Sequence, residues 1–346
     1  MVMPPKPALL QARIGDRVEC GTCIRRCKLK SGQTGFCGNY KNVDGELFNV
    51  GYGLLSALES RPIEIKPFFH FYPGSSAMTF SGWGCNFSCP WCQNHHLSKR
   101  KPNPEEDPYF PPEKVVEAAL KAGDEGTCAS FNEPTIHLEY LLDVFELAKG
   151  KGLYNTMVSN GSMSSRAIEA LYESGLDAMN VDLKGCQETY GRYIGVPNPM
   201  EILKTARKAL DLGIHVESVF LVVTRANDSE ECIRWVLEKH LDYLGPEVPL
   251  HVNRYFPAYA YGEPPTKLET LLKVHSMARE LGIEYVYIGN VGMPELEATR
   301  CPKCGKMLIE RSRYRVTYFK LDNSRCLRCG YKITLKGKYV EKSRLR

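Results

Sequence analysis

Residues 76–296 alternate between short apolar segments and helical stretches, and this alternation restricts the fold more than any other feature. Seven segments have the length and apolar character of buried strands: residues 78–81, 127–131, 155–159, 178–183, 217–223, 249–253 and 284–288. Pro112 opens one of the intervening helical patterns, and Gly175 and Gly213 end two others. Strands that alternate with helices form parallel βα units. The sequence therefore predicts an α/β fold, a full or partial TIM-like (β/α) barrel.

Polar side chains lie at or just beyond the carboxyl ends of these predicted strands. They are Cys85, Asn132, Glu133, Asn160, Asp182, Lys184, Arg225, Arg254 and Asn290. In βα barrels the active site is built at the carboxyl ends of the strands, where these side chains converge. The pattern by itself predicts a functional site at that end of the barrel.

Three cysteines follow the first predicted strand with the spacing C-x3-C-x2-C: Cys85, Cys89 and Cys92. Thiolates this close in sequence can converge on one soft-metal centre. Iron–sulfur clusters usually have four cysteine ligands, so three would hold a 4Fe–4S cluster and leave one iron open. A zinc ion completed by His95 or His96 is the alternative. The apolar neighbours Phe87, Pro90 and Trp91 favour the cluster.

The cysteine motif, with an aromatic residue before its last cysteine, resembles the signature of radical S-adenosylmethionine (radical SAM) enzymes. The longer string of residues 84–94 and the stretch of residues 52–73 resemble a narrower group, the AmmeMemoRadiSam-system proteins, which are relatives of the pyruvate formate-lyase activating enzymes. The resemblance implies a partial barrel, a 4Fe–4S cluster, SAM and a reductant protein. It also implies that the reduced cluster cleaves SAM to a 5′-deoxyadenosyl radical, which removes hydrogen from a substrate.

The resemblance also indicates which side chains contact SAM. Residues 130–134 stand where radical SAM enzymes carry a Gly-Gly-Glu motif, although the first positions depart from it. Glu133 would pair with the SAM ammonium group and Asn132 would orient it. Asp182 and Lys184 resemble an acid and a lysine that contact SAM in the activating enzymes. Two further residues are expected near SAM: Asn160 and Trp91.

Each of these residues also has an ordinary structural interpretation. Glu133 would be an acid at a helix N-terminus, and Asp182 with Lys184 would be an ion pair at the barrel rim. Asn160 would be a turn residue and Trp91 a core aromatic. No residue is assigned a catalytic role from the sequence.

Residues 1–75 contain a first cysteine group, and we predict an N-terminal metal-binding module there. Its cysteines have the spacing C-x2-C-x3-C-x9-C: Cys20, Cys23, Cys27 and Cys37. Because so short a segment has little core, a bound metal would contribute much of its folding energy. A closed four-thiolate zinc site is the favoured interpretation. An auxiliary iron–sulfur cluster is the alternative that the sequence leaves open.

Residues 297–346 are the third predicted unit, a zinc-ribbon-like module after the barrel of residues 76–296. Its two C-x2-C pairs are twenty-one residues apart: Cys301, Cys304, Cys326 and Cys329. This spacing is typical of a structural zinc site. Residues 301–346 carry 14 Lys and Arg against 3 Asp and Glu. A basic face would bind nucleic acid, or it would be solvated or dock on the acidic barrel. Its residues are Arg311, Arg313, Arg315, Lys332, Lys336 and Lys338.

Fourteen cysteines in 346 residues indicate metal binding in a reducing cytoplasm rather than a disulfide framework. The N-terminal residues lack a signal-peptide pattern, and the longest apolar run, residues 219–223, is too short to span a membrane. We predict a cytoplasmic protein without membrane association.

Three functions are compatible with the sequence. The first is a radical SAM enzyme that generates a glycyl radical on a partner protein, as the activating enzymes do. The second is radical SAM modification of RNA or another macromolecule, prompted by the basic C-terminal module. The third is a non-enzymatic adaptor with three zinc sites.

Overall fold

The computed structural model describes residues 5–196 and 198–342. Its strands are, in chain order, β1 Lys6–Pro7, β2 Gln11–Ile14, β3 Arg17–Cys20, β4 Lys28–Leu29, β5 Tyr40–Val43, β6 Glu46–Asn49, β7 Leu55–Pro62, β8 Ser76–Gly82, β9 Gly126–Ala129, β10 Tyr154–Ser159, β11 Ala178–Leu183, β12 His215–Val222, β13 Leu250–Arg254, β14 Val286–Gly289, β15 Thr299–Arg300, β16 Met307–Ser312 and β17 Arg315–Phe319.

The helices are α1 His95–Ser98, α2 Pro112–Ala122, α3 Leu138–Gly150, α4 Ser165–Glu173, α5 Gln187–Thr189, α6 Met200–Asp211, α7 Glu230–Tyr243 and α8 Leu268–Glu280. Short 3-10 turns occur at Ile63–Ile65, Pro134–His137 and Pro294–Leu296, and a π turn occurs at Tyr190–Ile194. In the described part of the chain, none of these helices combines the length and apolarity needed to cross a membrane.

The central sheet has eight strands in the order β14-β13-β12-β11-β10-β9-β8-β7. Neighbours from β8 to β14 are parallel, and β7 runs antiparallel to β8. Among the described residues β7 and β14 do not pair with each other, so the sheet is open. All seven predicted strands are present in the predicted order. The prediction of an α/β barrel is therefore confirmed in its partial form.

The helices that cover the sheet begin and end at local sequence signals. Pro112 opens α2, and Gly123 ends it with a left-handed backbone (φ 70°). The Ser164 hydroxyl accepts a hydrogen bond from the Ala167 N–H at the start of α4. Apolar side chains at helical spacing are buried against the sheet; on α4 they are Ala167, Ile168 and Leu171. This packing makes the sheet a rigid platform, and its strand ends carry the candidate site.

The N-terminal segment forms two small three-stranded sheets, β2-β3-β4 and β1-β6-β5, beside α3. The buried Glu139 carboxylate of α3 joins them to the barrel. It accepts hydrogen bonds from the Leu9 N–H, the Tyr40 hydroxyl and the Asn49 amide at 2.8–2.9 Å. Residues 55–62, which lie within the predicted N-terminal unit, form β7 of the central sheet. The division at residues 75 and 296 stays a prediction.

The C-terminal module packs on the edge of the central sheet at β14. Its strands β15–β17 form a separate antiparallel sheet. A second apolar core lies between the two, with Phe69, Tyr285 and Tyr287 on the barrel side and Leu308 and Ile309 on the other. The module is therefore held to the barrel by packing.

Arg311 is not on a basic face, and that part of the prediction is wrong. Its side chain is fully buried and donates hydrogen bonds to the Phe69 and Glu297 carbonyls and the Thr299 hydroxyl at 2.7–3.0 Å. The guanidinium also lies 4.1 Å from the centre of the Phe69 ring. The other five basic residues are exposed, although the Lys336 ammonium donates to the Gly213 carbonyl.

Candidate cluster and cofactor site

The three-cysteine loop leaves the carboxyl end of β8. Gly84 precedes Cys85 with a left-handed backbone (φ 90°), and a β-carbon at Gly84 would lie 2.4 Å from the Cys37 carbonyl oxygen. Only glycine fits this turn and this close approach. The loop ends on α1, where the Ser98 hydroxyl lies 3.2 Å from the Cys92 sulfur. Strand, turn and short helix together fix the direction of the loop.

The spacing of the thiols separates a cluster site from a single-ion site. A single metal ion needs at least three His, Cys, Asp or Glu donor atoms close together, here within 4.8 Å of one another. Among the described residues one group meets this criterion, and it consists of Cys301, Cys304, Cys326 and Cys329. In a tetrahedral zinc site with zinc–sulfur bonds of about 2.3 Å, the sulfurs are about 3.8 Å apart. Cys85, Cys89 and Cys92 do not meet this criterion, with or without His95 and His96. In a 4Fe–4S cluster each cysteine sulfur binds a different iron, so its ligands need not lie this close, and the three thiols are compatible with a cluster.

Burial makes the bare thiolates unfavourable at this site. It raises the pKa of Cys85 to about 12 and also raises the pKa of Cys89. The positive charges of Lys99 and Lys184 act in the opposite direction. Because cluster ligands are deprotonated, positively charged iron would stabilise these thiolates far more than two lysines do.

Asn132 and Glu133 follow β9 and form the base of the site. The Asn132 amide donates to the Gly82 and Gly84 carbonyls at 2.9 and 2.8 Å, which ties it to the cysteine loop. Its side-chain oxygen is buried and has no hydrogen-bond partner among the described residues. An unpaired buried acceptor beside the cluster loop fits an ammonium donor such as that of SAM.

Glu133 is buried, and its carboxylate accepts four hydrogen bonds. One oxygen accepts from the Thr135 N–H and hydroxyl and the Ser159 hydroxyl, and the other accepts from the Asn160 N–H, at 2.5–3.0 Å. Burial raises the pKa of Glu133, while these hydrogen bonds lower it. Glu133 therefore joins β9 to β10 and caps the turn Pro134–His137. Its contact with SAM stays a prediction.

Phe131 accounts for the departure from the Gly-Gly-Glu pattern. It stands at the first glycine position, and its backbone is nevertheless left-handed (φ 72°). The Asn94 amide donates to the Phe131 carbonyl at 2.7 Å, and the Lys66 ammonium lies 4.2 Å from the ring centre. These contacts hold a conformation that costs a non-glycine residue about 1–2 kcal/mol. Phe131 therefore adopts a left-handed backbone conformation that glycine favours, although it is not glycine.

Asn160 connects the site to the cysteine loop through Asn86. The Asn160 amide donates to the Asn86 side-chain oxygen at 2.9 Å, and its own oxygen accepts from the Ser162 N–H at 3.0 Å. The Asn86 amide donates to the Ser162 hydroxyl at 2.7 Å. Asn160 is thus a turn residue that also positions the residue after Cys85, and its proximity to SAM stays a prediction.

Asp182 and Lys184, on and just after β11, form an ion pair in the ring of strand ends. The pair is largely buried, with side chains 28% and 14% exposed. Burial lowers the pKa of Lys184, but the charge and hydrogen bond of Asp182, together with the interaction with Cys89, outweigh burial and raise the pKa overall. The Lys184 N–H donates to the Tyr190 hydroxyl at 3.0 Å. A positive charge is therefore held beside Cys89.

Trp91 is buried among aromatic side chains. Its ring centre lies 5.5 Å from that of Tyr193 and 5.4 Å from that of Tyr261. The Ala260 N–H donates to the Pro90 carbonyl at 2.9 Å, which closes the segment after β13 over the loop. Trp91 thus has the packing of a core residue, and stacking on adenine stays a prediction.

Five residues that support the site received no role from the sequence: Asn86, Lys99, Thr135, Ser159 and Tyr190. Asn86 was visible beside Cys85 in the motif. The other four contact their partners from separate turns and strands, so no local spacing identifies them.

The four cysteines of the N-terminal module also face a common space. Cys20, Cys23, Cys27 and Cys37 all line one cavity, together with Asn86 of the cysteine loop. Like Cys85, Cys89 and Cys92, they do not meet the 4.8 Å criterion of the ribbon cysteines. Two ribbon sulfur pairs, Cys301 with Cys329 and Cys304 with Cys326, lie 3.5 and 3.6 Å apart.

The chain resembles known proteins in sequence. The family model described as Radical SAM superfamily matches residues 81–238, from the end of β8 into α7. An uncharacterized protein of Methanocaldococcus jannaschii is 38% identical over 336 residues, which cover 95% of this chain and 99% of that protein. The similarity therefore extends over the barrel and both cysteine modules.

Solved structures with the same fold include a radical SAM methyltransferase from Sphaerobacter thermophilus. It has a TM-score of 0.50 at 14% identity, over 88% of this chain and 81% of that one. A domain of a pyruvate-formate lyase-activating enzyme from Bacteroides vulgatus has a TM-score of 0.41 at 17% identity, over 48% of this chain and 99% of that one. The methyltransferase similarity supports the open barrel.

Proposed function

This chain belongs to the radical SAM superfamily, and we propose that it cleaves SAM reductively and removes hydrogen from a macromolecular substrate. The observation that carries the proposal is the three-thiol loop at the carboxyl end of β8, whose sulfurs do not have the close spacing of a single-ion site. Cys85, Cys89 and Cys92 would hold three irons of a 4Fe–4S cluster and leave the fourth for SAM. When bound, the cluster supplies one electron to the SAM sulfonium, which yields methionine and a 5′-deoxyadenosyl radical.

The side chains around the loop would bind and orient the two groups. The free Asn132 oxygen would accept from the SAM ammonium, and the Asp182–Lys184 pair would supply both charges beside Cys89. Glu133 and Asn160 would hold the strand ends in register through their hydrogen bonds. The aromatic cover around Trp91 would exclude water from the reactive centre.

We propose a glycyl radical protein as the substrate and a low-potential reductant protein as the electron source. RNA is the second candidate substrate. The burial of Arg311 and the Lys336–Gly213 contact reduce the basic surface that would bind a phosphate backbone, which favours a protein substrate.

The zinc-adaptor alternative needs three single-ion sites, but among the described residues only the ribbon cysteines have that spacing. Fourteen free cysteines favour a reducing cytoplasmic environment.

SAM cleavage tests the reaction directly. Protein reconstituted anaerobically with iron and sulfide is reduced with dithionite in the presence of SAM, and 5′-deoxyadenosine is measured. We expect product from wild type and at least about a 100-fold lower yield from Cys89→Ala. Cys128→Ala, which removes a buried thiol of β9 outside the site, is the matched control and should retain activity. No product from wild type above Cys89→Ala would contradict the proposal.

The substrate class is tested by binding and by radical formation. A candidate glycyl radical protein should show a glycyl EPR signal only with enzyme, reductant and SAM together. If RNA is the substrate, RNA binding should weaken steeply with salt, and substituting glutamine at Arg313, Arg315, Lys332 and Lys338 should flatten that dependence. Salt-insensitive or absent RNA binding would exclude the second candidate.

A further inference from the structure

We propose that Cys20, Cys23, Cys27 and Cys37 hold a second 4Fe–4S cluster rather than the zinc ion favoured by their spacing in sequence. The other two cysteine groups of the chain can be compared with these four residues. The ribbon cysteines have the close spacing of ligands to one ion, whereas Cys85, Cys89 and Cys92, the proposed cluster ligands, do not have it. The N-terminal four belong with the second group, because no three of their sulfurs lie within 4.8 Å of one another in the described structure.

The four cysteines face one common space. All four residues line the same cavity. Phe36, Tyr40 and Ile136 supply apolar walls, which suit a cluster more than a hydrated ion. Thr22 also lines the cavity, and its buried hydroxyl has no hydrogen-bond partner among the described residues. A buried hydroxyl without a partner is available to donate to a group bound in the cavity.

The second cluster would lie directly beside the first. The Cys37 carbonyl packs against Gly84, where a β-carbon would approach it to 2.4 Å. The Arg25 guanidinium donates to the Asn86 carbonyl, and Asn86 itself lines the cavity. Residues 84–86 therefore separate the two cysteine sites, and Cys85 is in that segment. The module also reaches solvent, since Phe36 is 49% exposed and Cys27 and Cys37 are partly exposed.

This placement, together with the proposed function on which it rests, gives the second cluster a role as the entry point for electrons. A low-potential iron–sulfur donor protein would lose one electron to the N-terminal cluster. That cluster would pass the electron to the cluster at Cys85, Cys89 and Cys92 and return to its oxidised state. No bond is made or broken in this transfer.

Metal analysis of variants tests the assignment independently of SAM cleavage. After anaerobic reconstitution, we expect about eight irons per chain in wild type and about four in Cys85→Ala/Cys89→Ala/Cys92→Ala, with matching sulfide and about one zinc in each. Cys27→Ser/Cys37→Ser should also retain about four irons, with an EPR signal that changes on adding SAM. The control Cys301→Ser/Cys304→Ser should lose zinc and keep its iron. About two zinc ions and no iron in the triple variant would overturn the assignment.

The triple variant separates this inference from the proposed function, because iron retained there supports the second cluster even if wild type cleaves no SAM.

EPR of the fully reduced wild type tests proximity, and we expect broadening from magnetic interaction that neither cluster variant shows. With reduced ferredoxin as donor, Cys27→Ser/Cys37→Ser should form 5′-deoxyadenosine about tenfold or more slowly than wild type. Equal rates, with the first cluster still responsive to SAM, would overturn the electron-entry role.

Discussion

At the level of single residues, most polar side chains of the site already make hydrogen bonds within the protein. Glu133 accepts four hydrogen bonds, and the Asn160 side chain joins two loops. The Asn132 oxygen is the contrast, because it is buried and unpaired among the described residues. Saturated groups position the loop, and the unsaturated acceptor is available to a ligand.

Substituting Glu133 by glutamine tests its positioning role. One carboxylate oxygen becomes an amide donor, which must face either the Asn160 N–H or the donors from Thr135 and Ser159. We expect Glu133→Gln to lower the free energy of unfolding by about 1–3 kcal/mol. The exposed Glu117→Gln on α2 should change it by less than about 0.5 kcal/mol. Urea unfolding of both variants measures the difference, and equal stabilities would refute the role.

At the scale of elements, the ribbon is joined to the barrel by a buried polar contact inside an apolar interface. Arg311 of β16 bonds to the Phe69 carbonyl of the segment between β7 and β8, and it also bonds to residues just before β15 and within it. Its charge is partly balanced by Glu64, Glu217 and Glu297 nearby. The Thr299 hydroxyl also bonds to the Tyr287 hydroxyl, but the loss of Arg311 removes this donor from the Phe69 and Glu297 carbonyls.

We expect Arg311→Met to destabilise the protein by about 2–4 kcal/mol because methionine keeps the apolar volume but removes every donor. Arg313→Met, two residues away and exposed, is the matched control and should be nearly neutral. Thermal unfolding and limited proteolysis after β14 measure the loss. If both variants release the ribbon equally, the buried contact contributes nothing.

At the scale of the whole molecule, burial in separate parts of the barrel holds histidines in their neutral form. Burial lowers the pKa of His137, beside the site, and of His240, on α7, to about 4. The His240 Nε2–H donates to the Val248 carbonyl at 3.1 Å, so its Nδ1 accepts from the Ser218 hydroxyl at 3.0 Å. Below the ordinary histidine pKa of 6.5, the unfolded chain takes up protons that the folded chain does not.

Stability should therefore be complete above about pH 6.5 and decrease as the pH falls toward about 4. His240 alone accounts for about 3 kcal/mol across this range. The loss with acid should be smaller in His240→Gln than in wild type, whereas His96→Gln, at an exposed position, should follow wild type. Unfolding free energies at a series of pH values between 4.5 and 7 measure the slopes. Parallel wild-type and His240→Gln curves would contradict the assignment.

The amino-acid pattern was enough to predict the elements of the barrel and to propose where its site lies. The seven strands of the parallel sheet could be predicted because apolar runs and helix-ending glycines act over a few residues. The three cysteines at residues 85–92 and the ribbon pairs could be recognised because ligand spacing is also local. Phe131 shows the limit, since its glycine-like backbone depends on Asn94 and Lys66 from other elements.

How the modules meet, and which groups are buried, follows from long-range packing that the folded chain alone reveals. Packing buries Arg311 away from the basic face and places Asn86 between two cysteine sites. It also brings the ribbon thiols closer together than the thiols of the other two cysteine groups. A C-x2-C spacing is the same for zinc and for a cluster. The distance between sulfurs depends on how distant segments pack, and packing is a long-range property that no local pattern contains.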